Sequence, residues 1–489
     1  MARHGLAAAP LDRLPDGMFF GLGLIGAAVL AAISLRFRVD TTRCAVWPPP
    51  GQSLGAAALY LVALALVTAS WLGVTRRAAS PAGPGVRRVL AYAASLHLVL
   101  LIGLPFLSDD VLFYAGLGRV LNVAPPGTSA AVPLCQVLPA SSPFLQVLDA
   151  HWRCSSSSYL PGFHLIAWAV GKLGQAELAR HLRLYQAVSM LTVLLTGGVT
   201  AAALRQSGQR PAFGAAVVTL NPLALIEGTL NAHNDVFLAL SCALFVLAVG
   251  RRRGLAAVTS LALGLTIKVS AGLAAGVYGL SVLFQSLRLR WPRLWRVLPW
   301  LLCVGIVAGV GLLAAAPTAI PGLSGLIGTP HAPWEYCTRS IECVPRAILR
   351  WGLGAPTAAW LVGLTFRVLG GLWLLYAGWR SQERLLPWLA TGLLVYYLYL
   401  HSWSQSWYFL PLLPLLPWAE GRTRRAIWVV SVSACAYYAV MLVGNCVQDE
   451  VAIALTDLVE GLIVVVPPTL VLRGRAARWT GPPGLHWGA

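Results

Sequence analysis

The chain has 489 residues, 57% of them hydrophobic and only 11% charged, with mean hydropathy +0.71. A soluble chain carries about twice that charge fraction, so the composition excludes a soluble enzyme and indicates a polytopic helical membrane protein. The net charge of +19 would suit nucleic acid, but the arginines sit in short loops between apolar runs, Arg76-Arg77 and Arg251-Arg252-Arg253 among them, where they set topology; no nucleic-acid partner is expected.

Spans are predicted near 17–35, 54–74, 88–107, 182–203, 212–229, 234–250, 254–269, 271–286, 296–316, 356–379, 385–400, 408–419, 426–444 and 451–472. About fourteen spans put both termini on one side, which Arg3, Arg13 and the basic tail assign to the cytoplasm; Arg36, Arg38 and Arg43 run against that scheme. The first run lacks a small-residue cleavage site and is expected to open the bundle. Tyr159–Gly174 is apolar but short, and reading it as a span would invert every later loop, so an interfacial or re-entrant helix is expected there. The expected fold is all-α: one integral membrane domain over 1–489, with a large outer loop over 108–181 and a second over 317–355.

Of the cysteines, Cys242, Cys303 and Cys435 fall in apolar runs and read as small core residues, whereas Cys135/Cys154 and Cys337/Cys343 lie in the two polar loops and could pair in an oxidising compartment. With this topology, almost all the unusual polar residues fall on one face.

Asp109 and Asp110 come first, just past the run Val89–Leu107. Carboxylates beside lipid are costly and mark a working site; they can act as a base, bind a metal, or pair with a cation such as Arg119. A divalent metal, Mg or Mn, between the acids is compatible with this, though no ligand set is readable. Next comes Asn221-Pro222, a helix break, followed by Glu227, Asn231 and His233-Asn234-Asp235. Glu227, Asn231 and Asp235 are spaced to share a helical face, and Asn234 or Asp235 suits the N-cap of the following span. Lys268 is one of two lysines and stands near the outer end of a short span, where an ammonium wants an anion such as a lipid phosphate. The turn His401–Tyr408 brings His401, Gln405, Trp407 and Tyr408, residues that anchor at interfaces and also suit a sugar. Asp457 and Glu460, inside the last span, could pair with Arg367 or face a wet cavity.

These residues form a pattern. Ser108-Asp109-Asp110 through Gly118-Arg119, then Tyr159-x-Pro161, Asn221-Pro222, Glu227-Gly228, Asn231-x-His233-Asn234-Asp235, Lys268 and Trp407-Tyr408 resemble the GT-C superfamily of membrane glycosyltransferases, closest to the bacterial polyprenol-phosphate-mannose-dependent mannosyltransferases. The resemblance covers roughly residues 100–410 and is most specific over the Asn-Pro to His-Asn-Asp block. It implies a multi-spanning bundle whose first outer loop carries interfacial helices, in a bacterial plasma membrane with the active site extracytoplasmic. The implied activity is transfer of a sugar, mannose by resemblance, with inversion, from a polyprenyl-phosphate donor to a glycan, glycolipid or protein. Asp109 or Asp110 would then be the base, and Lys268, Arg119 and His233 would meet the donor phosphate. Glu227, Asn231, Asn234, Asp235, Tyr159, His401, Gln405, Trp407 and Tyr408 would line the sugar and acceptor. The sequence departs from the family at Asn122-Val123-Ala124-Pro125-Pro126 and Tyr159-Leu160-Pro161, where relatives tend to carry Asn-Pro-Tyr and Tyr-Pro-Pro. A transporter or lipid flippase is the rival class, but no internal repeat joins the two halves as such folds often require.

Overall fold

A computed structural model describes residues 15–36, 50–125, 132–148, 150–288, 340–401, 405–444 and 450–474. These residues are helical, with no strand among them. In order they form α1 (Asp16–Arg36), α2 (Pro50–Ala79), α3 (Val86–Leu100), α4 (Asp110–Val123), α5 (Pro161–Gly174), α6 (Leu178–Gln206), α7 (Pro211–Thr219), α8 (Asp235–Gly250), α9 (Gly254–Ile267) and α10 (Ala271–Arg288). After residues outside the described set come α11 (Cys343–Leu353), α12 (Ala355–Arg380), α13 (Leu385–Val395), α14 (Gly421–Ala436), α15 (Tyr438–Gly444) and α16 (Glu450–Arg473).

Five of the described helices are long and apolar enough to cross a membrane, six if one bent pair counts as a span. Large apolar side chains stand exposed along them, among them Leu59 and Val62 on α2, Leu191 and Leu195 on α6, and Val368 and Leu372 on α12. Such faces need an apolar partner, and on helices of spanning length that partner is lipid; this is a membrane protein. Among the described residues the other expected spans do not all form helices of full spanning length. Several expected spans are shorter helices, such as Gly254–Ile267, and 296–316 lies outside the described residues together with Cys303 and Cys337.

Two segments depart from a regular α-helix, the second at the break expected at Pro222, and proline is the reason in both. Over Ser406–Trp418 the chain forms a 3-10 helix through Pro411, Pro414 and Pro417. Prolines three apart fall on one side of a three-residue turn, where their missing N–H groups are least disruptive. The expected span 212–229 is broken: α7 ends at Thr219, and the π-helical turn Ala224–Leu230 leaves it at 62°. Pro222 cannot donate to the ladder, and Asn221 fills the gap, its Oδ1 accepting from the Leu223 N–H at 2.9 Å and its Nδ2 donating to Ser431 Oγ at 3.1 Å.

The first-loop segment builds a small core of its own. Val111, Tyr114 and Leu117 of α4 pack with Leu134, Phe144 and Leu148, with Phe163 and Ala167 of α5, and with Tyr185 of α6. The same cluster takes in Ala232, Leu238 and Ile267, so the loop is seated on the turn before α8 and on the end of α9. Helices α4 and α5 touch backbone to backbone: a Cβ on Gly118 would stand 2.6 Å from the Ala167 carbonyl oxygen. Cys135 and Cys154 form a disulfide across this segment, Cys343 is also disulfide-bonded, and Cys242 and Cys435 are buried thiols. Arg367 stands beside Glu342 and Arg346. Glu460 is buried, and the side chain of Asp457 lies outside the described set.

One arginine sets where the loop begins. Arg183, in the second turn of α6, donates to the carbonyls of Leu101 and Gly103 and, at 2.8 Å, of Ile102, all exposed by the end of α3. Gln186, one turn on, donates to the Leu230 carbonyl at 3.0 Å. Together they tie the approach to Ser108-Asp109-Asp110 to the approach to His233. Arg183→Ala is expected to slow the sugar transfer that the resemblance implies by about 10- to 100-fold, because small misplacements of reacting groups cost that much. The mutant should remain in the membrane with a lowered unfolding temperature; unchanged transfer by labelled-sugar assay would refute this placing role.

Candidate functional site

Asp110 opens α4, and its side chain keeps 21% of its surface exposed. Its Oδ2 lies 3.4 Å from Nδ1 of His233 and accepts from the Tyr114 hydroxyl at 3.4 Å. Tyr159 donates to the Tyr114 hydroxyl at 3.4 Å and packs edge-on against that ring. Burial pushes the Asp110 carboxyl up, but His233, Lys268 and Tyr114 outweigh it and hold the group below the ordinary carboxylate value. Asp109 precedes it at the N-cap, its carbonyl accepting from the Phe113 N–H at 3.0 Å.

The turn before α8 delivers the next groups. The π-helical turn places the Asn231 N–H on the Ile226 carbonyl at 2.8 Å and the His233 N–H on the Glu227 carbonyl at 2.9 Å. Between them Ala232 adopts φ +53°, a left-handed conformation that costs a non-glycine residue about 1–2 kcal/mol and collects at functional sites. Glu227, Asn231 and Asp235 therefore do not share one continuous helical face. Asn231 Nδ2 does reach Glu227 Oε2, at 3.1 Å, while Asp235 starts a new helix. Asn234 is the N-cap of α8, without a side-chain capping bond, and its amide is buried with no hydrogen-bond partner among the described residues.

His233 is held on three sides. Its ring stacks on Trp407 at 3.8 Å between centroids and 15° between planes, and its Nε2 lies 3.4 Å from Glu227 Oε2. Glu227, fully buried, also accepts from Ser406 Oγ at 2.6 Å, and the hydroxyls of Tyr437 and Tyr438 lie 3.3 and 3.2 Å from that oxygen.

Lys268 caps α9, and its Nζ donates to Asp235 Oδ2 at 2.8 Å. The same ammonium stands 4.4 Å over the Tyr408 ring, whose neighbours are His401 at 4.7 Å and Tyr397 at 6.0 Å. Gln405 is buried, and its carbonyl accepts from the Tyr408 N–H at 3.2 Å.

The structure thus gathers Asp110, Tyr159, Glu227, Asn231, His233, Asp235, Lys268, Trp407 and Tyr408 from distant stretches into one cluster. It has two layers. Asp110, Tyr159, Lys268 and Tyr408 are partly exposed; Glu227, Asn231, His233, Asn234 and Asp235 are sealed beneath at 1% exposure or less. Arg119 does not join them. Nine residues of helix rise about 13 Å, so its guanidinium leaves Asp110 behind and donates to the Gln175 carbonyl at 3.4 Å. Among the described residues no group of three or more His, Cys, Asp and Glu side chains converges as a metal site.

Sequence reasoning did not single out Arg183, Gln186, Tyr114 or Ser406. The first two carried a usable signal, since a charge and an amide three residues apart at the head of an apolar span need a reason.

No curated protein and no solved structure matches the chain. The alpha-(1->6)-mannopyranosyltransferase N-terminal domain, of the MptA_B family, matches residues 18–284, more than half of the chain and the part that holds Asp110, the His-Asn-Asp turn and Lys268. The chain therefore belongs to the alpha-(1->6)-mannopyranosyltransferase family and is a membrane glycosyltransferase of mannose.

Proposed function

We propose that this protein moves mannose, with inversion, from a polyprenyl-phosphate donor to an acceptor hydroxyl on the extracytoplasmic face of a bacterial plasma membrane. The observation that carries the reading is the convergence of one partly open carboxylate, Asp110, and one partly open ammonium, Lys268, over the same turn. Asp110 removes the proton of the acceptor hydroxyl as its oxygen attacks the anomeric carbon. The C–O bond to phosphate breaks with both electrons on the leaving oxygen. A phosphate monoester is a weak base and needs charge compensation more than a proton, which suits Lys268. Inversion at a β-configured donor yields an α-glycoside, the anomer in the family's name.

The lipid part of the donor has a natural approach. Helix α5 exposes Leu165, Trp168 and Leu173, with Lys172 over the Trp168 ring, as an interfacial helix does. Its first turn lies against the end of α9: the Leu160 N–H donates to the Ile267 carbonyl at 3.2 Å, and a Cβ on Gly162 would stand 2.8 Å from the Thr266 carbonyl oxygen. An isoprenoid chain along α5 would bring its phosphate to the neighbouring Lys268. The disulfide Cys135–Cys154 in the same loop fits an oxidising, extracytoplasmic side. The acceptor class is a glycan, glycolipid or protein hydroxyl.

The reading is tested by supplying membranes that contain the protein with labelled mannose on polyprenyl phosphate or on a nucleotide. Product from the lipid donor alone is expected. Product that requires the nucleotide sugar, or label that crosses sealed vesicles without forming a product, would refute it.

A further inference from the structure

The contact between His233 and the two carboxylates is not used by the reaction as written above. An imidazole whose two ring nitrogens each lie 3.4 Å from a different acid is a costly thing to bury. The two acids differ in kind. Asp110 is 21% exposed and can meet a substrate, whereas Glu227 is sealed at 0% and cannot. Glu227 is fixed by Ser406 and Asn231, and the ring plane is fixed by Trp407. The line from Asp110 through His233 to Glu227 therefore has an open end and a closed end.

We infer that His233 relays the acceptor's proton, taking it at Nδ1 from Asp110 while Glu227 steadies the resulting imidazolium at Nε2. The inference rests on Asp110 acting as the base. The proton leaves the acceptor hydroxyl for Asp110 Oδ2 as the oxygen's electron pair forms the new C–O bond. It then passes from Asp110 to Nδ1, which restores the carboxylate. The electrons of the broken bond stay on the phosphate, and the imidazolium returns its proton to water through Asp110, the open end of the line, before the next turnover. His233 acts through Asp110 and does not touch the sugar. The charged and titratable groups facing it are Asp110 from α4, Glu227 from the π-helical turn and Asp235 from α8, with Lys268 from α9 acting on both aspartates.

A relay needs the neutral ring, so kcat/KM should rise with pH along a limb set by His233. Glu227→Gln removes the group that steadies the imidazolium and should move that limb toward lower pH, with kcat reduced and KM for the donor little changed. A merely structural role for Glu227 would lower activity in parallel at every pH. Should Glu227→Gln fail to accumulate in membranes, His233→Gln decides alone: residual transfer without the limb supports the relay, and an intact limb overturns it. Wild-type membranes that transfer no mannose from the lipid donor would sink the base assignment and the relay together. Wild-type transfer with an unshifted limb in Glu227→Gln would sink the relay only.

Discussion

Asp110→Asn is expected to reduce mannose transfer by about 100- to 10,000-fold, the range associated with loss of a general base. The substitution keeps the shape of the side chain and its place against Tyr114, so the protein should still fold and insert. The adjacent Asp109→Asn should cost less than about tenfold, because the carboxylate set 3.4 Å from His233 is that of Asp110. Asp109 is the N-cap, while Asp110 is the first helical residue and lies against His233 of the turn before α8. Single-turnover transfer at saturating donor separates the two. Equal losses at both positions would mean that the pair acts as a unit.

Lys268→Met is expected to lower transfer by about 100- to 1,000-fold, since it removes the cation assigned to the departing phosphate. It should also destabilise the protein by about 3–5 kcal/mol, because Asp235 is then left buried with its charge unpaired. The two losses can be separated. In the double mutant Lys268→Met/Asp235→Asn the orphaned charge is gone, so thermal stability in detergent should recover while transfer stays low. Recovery of both would reduce Lys268 to a structural partner of Asp235 and leave the phosphate without a cation.

How much of this was legible in the sequence depended on whether a residue's partner was near it in the chain or in a nameable class. Apolar runs gave the helices, and the break at Pro222 announced itself because proline lacks a donor. Asp110, His233 and Lys268 stood out because charge within a lipid-facing chain demands an explanation. The pairings were not legible. Nothing local says that Lys268 closes on Asp235 across 33 residues, or that Ser406 reaches Glu227 across 179. Those contacts follow from how α8, α9 and the 3-10 segment pack. Arg119 shows the opposite error: it was close to Asp110 in sequence, yet helical rise carried it away. The expected span at 254–269 forms the shorter helix α9, since hydropathy measures apolarity and not helix length.

The layering within the site also changes the sense of the sequence motif. The residues Asn231 through Asp235 are almost wholly covered. In the proposed transfer His233 and Asp235 hold Asp110 and Lys268 at their stations, and the left-handed Ala232 stands in the turn that brings them there. Buried polar groups of this kind tolerate little change, because each unpaired atom costs about 1–3 kcal/mol.

The most direct measurement is a structure of the protein in lipid with a non-transferable polyprenyl-phosphate-mannose analogue bound. The phosphate is expected in contact with the Lys268 ammonium, the isoprenoid chain along α5, and the Asp110 carboxylate on the face of the anomeric carbon opposite the phosphate. A phosphate held elsewhere, with Lys268 still closed on Asp235 and the sugar out of reach of Asp110, would contradict the proposed transfer.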